Sequence, residues 1–160
     1  MKLFTSLLLL AALACLNPDP AFSQLKVYSF EEIDSLQKTE NRKTVVFIHT
    51  DWCRFCHTMQ NTCFGNDSII ELLNKAFYFV SLNGEEARNI SFNGHIFKHK
   101  PTGQNTGTHE LAEQLGTIGG KLSYPSLCIL SSGYEIVFQY NGLISSADLF
   151  NILTKALNSP

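Results

Sequence analysis

The chain carries little charge, and neither sign dominates. Among 160 residues, 12 are Lys or Arg and 14 are Asp or Glu, giving a formal net charge of −2. No basic cluster interrupts this balance, so nucleic acid, which needs a concentrated positive face, is not an expected partner. Internal repeats and low-complexity tracts are absent. Cysteine is sparse, at five residues, while 44% of the chain is hydrophobic. Disulfide frameworks belong to small domains with poor cores, so the cysteines call for another use. What remains suits one compact globular domain with a sizeable core.

No apolar run spans a bilayer comfortably; the longest, Leu3 to Ala14, follows Lys2 and is too short. Asn17, Pro18, Asp19 and Pro20 break any helix after it. Ala21-Phe22-Ser23 has the small-x-small pattern of signal-peptidase cleavage. The expectation is a cleaved signal peptide over 1–23, a single mature domain over 24–160, and a periplasmic or secreted location. Ala12-Leu13-Ala14 before Cys15 offers a second processing route, lipoprotein attachment, which would make the membrane a partner.

The informative stretch is Thr44 to Met59, TVVFIHTDWCRFCHTM. Val45-Val46-Phe47-Ile48 reads as a buried strand. It runs into Trp52 and then Cys53-Arg54-Phe55-Cys56, a C-x-x-C at the start of a helix. Unpaired N–H groups and partial positive charge at a helix N-terminus favour a thiolate. The thiolate is the form that attacks disulfides. A second cysteine one helical turn on can resolve the mixed disulfide. Thiol–disulfide exchange needs no cofactor, because electrons pass between sulfur atoms.

The other elements follow from local signals. Leu25 to Ser29 could be an edge strand, and Ser29 with Glu32 forms a capping box for a helix bearing Ile33 and Leu36. Asn66 or Asp67 starts a helix through Ile69, Ile70, Leu72 and Leu73, followed by a strand over Phe77–Leu82. Residues 83–108 form a long polar insertion, a binding loop or a decorated surface loop, with a hairpin around Asn93-Gly94 and a helix possible over Glu85–Asn89. Thr108 is expected to cap a helix ended by Gly116. Ser126–Leu130 and Glu135–Tyr140 form an antiparallel hairpin, and Ser145 or Ser146 starts the last helix. This order gives an α/β fold, a mixed sheet with helices on both faces. Cys128 lies in a core strand, where a free thiol acts as a small apolar group. A Cys63–Cys128 bridge stays open.

This order, with W-C-x-x-C after the first core strand and Tyr124-Pro125 before the hairpin, resembles the thioredoxin superfamily. Asp51-Trp52-Cys53, Cys56 and Thr62-Cys63-Phe64 look like the C-terminal thioredoxin-like domain of the bacterial thiol–disulfide interchange protein DsbD. The resemblance implies a thioredoxin-like fold, with 83–108 as an insertion before a cis-proline. It implies that Cys53 attacks, that Cys56 resolves, and that Pro125 is the cis-proline facing the site. The Tyr124 backbone would pair with a bound peptide. Substrates would be protein thiols and disulfides, and a membrane-bound thiol would supply electrons. The DsbD-like surroundings favour reduction over oxidation or isomerisation. Two departures stand out. The family's buried acid six residues before the first cysteine is Phe47 here, and Gly-Pro between the cysteines is Arg54-Phe55. Arg54 places positive charge beside the thiolate, which lowers its pKa and favours the reduced form.

Competing readings concern the same residues. Cys53-Arg54-Phe55-Cys56-His57 is also the C-x-x-C-H of c-type haem attachment. Cys53, Cys56, His57 and Cys63 supply four candidate zinc ligands. His57, four residues after Cys53, could exchange protons with that thiol or simply pack. Trp52 and Phe55 could hold an unfolded polypeptide. A non-catalytic thioredoxin-like binding module, its cysteines permanently bonded, would show no turnover.

Overall fold

The computed structural model describes residues 24–104 and 106–159. The signal-peptide and lipoprotein expectations lie outside the described residues. Helix α1 (Phe30–Leu36) begins at Ser29, whose Oγ accepts from Glu32 N while the Glu32 carboxylate accepts from Ser29 N, the expected capping box. Strand β1 (Lys43–His49) is the apolar run read as a buried strand. Helix α2 (Arg54–Thr62) and helix α3 (Asp67–Ala76) follow, the second capped by Asn66, whose Oδ1 accepts from Ser68 N and Ile69 N. Strand β2 spans Phe77–Asn83.

Beyond the insertion come helix α4 (Glu110–Gly116) and a short ribbon, β7 (Thr117–Ile118) with β8 (Lys121–Leu122). Strands β9 (Ser126–Leu130) and β10 (Ile136–Asn141) and helix α5 (Ser146–Asn158) complete the chain. The central sheet has the order β10-β9-β1-β2; β1 runs parallel to β2 and antiparallel to β9.

Alternation along these strands divides the core. Val45, Phe47, Phe77, Phe79, Leu127 and Ile129 pack with Met59 of α2, Leu73 of α3 and Leu153 of α5. Val46, Ile48, Tyr78, Val80, Cys128 and Leu130 pack with Ile33 of α1 and Leu111 of α4. A strand buried on both faces has no polar side to alternate with, which is why β1 and β9 read as continuous apolar runs. Cys63 and Cys128 belong to opposite layers, and both are free thiols rather than a bridge.

Four local expectations change. Leu25 to Ser29 does not form a strand: Tyr28 N donates to Phe79 O at 2.8 Å, but Lys26 N is taken by the Asn74 side chain. No helix forms over Glu85–Asn89, because Asn83 turns the chain, its O accepting from Glu86 N and its Oδ1 from Glu85 N. The insertion holds two hairpins, not one: β3 (Ile90–Phe92) with β4 (His95–Phe97), and β5 (His99–Gly103) with β6 (Thr106–His109). Thr108 therefore lies in a strand, and the cap of α4 is His109.

The first hairpin turns at Asn93 and Gly94, both at positive φ, as a two-residue turn of this hand requires. It is fastened to α1: Asn93 N and Tyr134 Oη donate to the two oxygens of Asp34, and Ser91 N to Glu31. Phe92 stands between Phe30 and Tyr134, with ring centroids 4.8 and 4.6 Å away. The insertion is thus docked on the core.

Candidate active site

The end of β1 and the start of α2 place the two cysteines. Cys53 N donates to Thr50 O at 3.2 Å, and the extended Cys53 backbone makes this residue the N-cap of α2. Its Sγ accepts from Cys56 N at 3.1 Å, so the sulfur takes the place of a capping oxygen. A thiolate formed there gains that N–H and the helix dipole together. Cys53 and Cys56 are joined, with an S–S distance of 2.09 Å.

The surroundings of the pair are uneven. Inward lie Phe47, Met59, Cys63 and Phe64. Phe47 packs 4.8 Å from Phe64. No Asp or Glu is buried among the described residues, so the core side of the pair presents no carboxyl, and Phe47 stands there instead. Outward, Trp52 and Phe55 are 65% and 61% exposed. Arg54 is exposed as well and makes no ion pair among the described residues.

Tyr124 and Pro125 precede β9 beside this outward face. The Tyr124–Pro125 peptide bond is cis, and Pro125 is buried with its carbonyl accepting from Gly142 N at 2.8 Å. The backbone N–H and C=O of Tyr124 have no hydrogen-bond partner among the described residues. Its ring meets Trp52 edge-on at 5.9 Å. Burial first, then the carboxylates of Glu85 and Glu113, push its phenol up to about 12.

His57 does not turn toward the core. It is exposed, and its Nε2 lies 2.9 Å from Asp51 O, a carbonyl that can only accept, so Nε2 carries the proton. Cys63 sits on the inner side and donates to Ile144 O at 3.2 Å. The four atoms of the zinc reading therefore do not converge, and no three His, Cys, Asp or Glu side chains among the described residues form a metal site. Haem does not fit either: the two sulfurs it would take are bonded to each other, and the Nε2 that His57 would offer as axial ligand is turned to Asp51 O at 2.9 Å.

Two further residues, Glu85 and Gly84, stand at the rim. Trp52 Nε1 donates to Glu85 Oε2 at 3.1 Å. Gly84 N donates to His49 O at 2.7 Å, and its own carbonyl accepts from His109 N at 2.8 Å. Asn83-Gly84 carries a visible signal, but only for the end of a strand.

Residues 30–157 match the family described as thioredoxin-like domain. The chain belongs to this thioredoxin-like family. Its fold is shared with solved thioredoxin-fold proteins of low sequence identity. A DsbH oxidoreductase is 17% identical, with a TM-score of 0.61 over 91% of this chain and 94% of its own. A thioredoxin from Thermus thermophilus is 19% identical, with a TM-score of 0.58 over 83% and 87%. A thioredoxin-fold protein from Helicobacter pylori is 12% identical, with a TM-score of 0.59 over 86% and 77%. No curated protein sequence matches the chain. Within the thioredoxin-like family frame, the bonded C-x-x-C at the head of α2 is consistent with thiol–disulfide chemistry.

Proposed function

We propose that the protein is an exported thiol–disulfide oxidoreductase that reduces disulfides in protein substrates. The observation that carries this reading is the bonded Cys53–Cys56 pair, its outer sulfur held by Cys56 N at the head of a helix. In the reduced enzyme the Cys53 thiolate attacks one sulfur of a substrate disulfide. A Cys53–substrate S–S bond forms, and the first substrate sulfur leaves as a thiolate that takes a proton. Cys56 then attacks Cys53 Sγ, closing the Cys53–Cys56 disulfide, and the second substrate sulfur leaves with the proton from Cys56. The substrate has gained two electrons and two protons, and the enzyme dithiol has lost them. A donor dithiol of the membrane reverses the enzyme's half, so no cofactor takes part.

Exposed Trp52 and Phe55 supply an apolar platform for an unfolded segment, and the free Tyr124 backbone offers it one strand-like pairing. Arg54 supports the Cys53 thiolate by its charge. His57 has an exposed ring able to exchange protons with solvent near the pair. Export is supported by the apolar Leu3–Ala14 segment and the Ala21-Phe22-Ser23 pattern.

The test is the potential of the Cys53–Cys56 pair in mature protein equilibrated with glutathione or dithiothreitol buffers. A reversible two-electron couple near thioredoxin's, roughly −270 mV, supports the reductase. A couple nearer −120 mV overturns it in favour of an oxidase or isomerase. No reversible couple overturns the enzymatic reading altogether, leaving a binding module.

A further inference from the structure

The insertion between β2 and α4 returns to the core at one point. There His109 ends β6 and caps α4, its side chain fully buried, at 0% exposure. Three hydrogen bonds run through this point: Leu111 N to His109 Nδ1 at 3.2 Å, His109 N to Gly84 O at 2.8 Å, and Gly84 N to His49 O at 2.7 Å. Gly84 in turn lies directly beneath Tyr124, close enough that an added Cβ would fall 2.2 Å from its Oη. Tyr124 packs on Trp52, and Trp52 is held by Glu85 of the same insertion. A continuous chain of contacts therefore links a buried imidazole to the aromatic wall of the redox site.

That imidazole is in a specific state. Nδ1 accepts from Leu111 N, so the neutral ring carries its proton on Nε2, which is close to the Arg88 carbonyl without forming a well-shaped hydrogen bond to it. A second proton can go only to Nδ1. It would set two N–H groups face to face, remove the α4 cap and leave a cation without solvent.

We propose that His109 is a positioning residue that locks the insertion against the Tyr124–Trp52 wall, and that its protonation releases the lock. The groups facing it are Glu86 from the β2–β3 connection, Glu110 from α4, His99 from β5 and the Arg88 carbonyl. Burial, the largest effect, and His99 disfavour the cation; the Arg88 carbonyl, Glu86 and Glu110 favour it, and the balance lowers the imidazole's pKa. The sign follows: the neutral, locked form is fully favoured above the ordinary histidine value of about 6.5, and its advantage is lost as pH falls below that.

The experiment compares the mature protein with His109→Asn from pH 8 to 5. Asparagine accepts the cap hydrogen bond but does not titrate. Trp52, the only tryptophan, reports the wall by fluorescence, and the KM for a disulfide-bonded peptide reports capture. Every other titratable group is common to both chains, so the readout is the difference between them. As pH falls from the ordinary histidine value of about 6.5 through the lowered value of the locked ring, the parent should change its fluorescence and show a KM several-fold above that of His109→Asn. Superimposable profiles overturn the proposal. The KM comparison rests on the proposed disulfide exchange, whereas fluorescence decides for the lock even if turnover is absent. Should the variant not fold, the ring-proton resonance of His109 in the parent must titrate with the fluorescence midpoint, and separate midpoints equally overturn the idea.

Discussion

Replacing Gly84 by alanine perturbs the site at a single atom. The new Cβ would stand 2.2 Å from Tyr124 Oη and 2.5 Å from both Cε1 and Cζ. Reaching an ordinary carbon contact of about 3.5 Å requires a displacement of roughly 1 Å or more. Either the backbone or the ring must yield. The Gly84 backbone is pinned on both sides, by His49 O and by His109 N. Losing those two bonds costs about 1 kcal/mol each, and more if the groups stay buried and unpaired. Turning the Tyr124 ring away sacrifices its edge-on contact with Trp52, about 0.5–1.5 kcal/mol. The ring should therefore move. Three signals follow. Trp52 fluorescence changes. The Tyr124 phenol, pushed to about 12 chiefly by burial, ionises closer to its ordinary value of about 10, visible as an earlier step in ultraviolet titration. The KM for a disulfide-bonded peptide rises about 2- to 13-fold, the kinetic equivalent of that contact. The potential of the cysteine pair should stay at its parent value, because the ring is not bonded to either sulfur. Parent-like fluorescence, tyrosine titration and KM together would refute the reasoning that Gly84 sets the position of Tyr124.

Other perturbations probe separate links. Cys53→Ser should abolish exchange, whereas Cys56→Ser should accumulate mixed disulfides visible by mass spectrometry under non-reducing conditions. Arg54→Ala removes an exposed cation worth about 0.2–1 kcal/mol to the thiolate, so the pair should become more reducing by roughly 5–20 mV in redox-buffer equilibration. Burial holds the Cys128 thiol up to about 12, and Cys63 is buried too. Neither should react with a thiol reagent in native oxidised protein at pH 8, and both should react in denaturant. Ser29→Ala breaks the capping box of α1 and should lower unfolding free energy by about 1 kcal/mol in urea titration.

Where chemistry was local, the sequence displayed it. Ser29 with Glu32, Asn66 before Asp67, and Asn93-Gly94 each carry their partner within three residues, and each forms as read. The apolar runs of β1 and β9 are legible because burial on both faces leaves no alternation to misread. The failures have two causes: a local turn at Asn83 that takes the N–H groups of Glu85 and Glu86, and, elsewhere, a partner farther along the chain. Lys26 N is diverted from strand pairing by Asn74, 48 residues away. His109 replaces Thr108 as a cap because β6 pairs with β5, which sets Thr108 opposite Lys100 within the ladder. The wall of the site was half legible for the same reason. Trp52, Tyr124 and the cysteines stand in recognisable motifs, whereas Glu85 and Gly84 matter only through what folds over them.

Phe47 shows how the local and distant levels combine. It lies on β1 facing the α2 layer, buried with Met59, Phe64 and Cys56. A carboxyl there would need a hydrogen-bond partner that this apolar layer does not present, and its burial would cost several kcal/mol. With phenylalanine the layer packs without that penalty, and the consequence falls on proton movement. No buried carboxyl is present among the described residues to take the proton of Cys56. His57 directs Nε2 outward to Asp51 O. The proton released when Cys56 closes the disulfide therefore has one direct recipient in the proposed reaction, the departing substrate thiolate. Resolution then depends on the basicity of the leaving thiol and on the loss of the Cys56 proton to it, with no buried carboxyl of the enzyme between them. The rate of the second step should accordingly vary with the thiol pKa of the substrate, and should lack the pH step that a buried acid would impose.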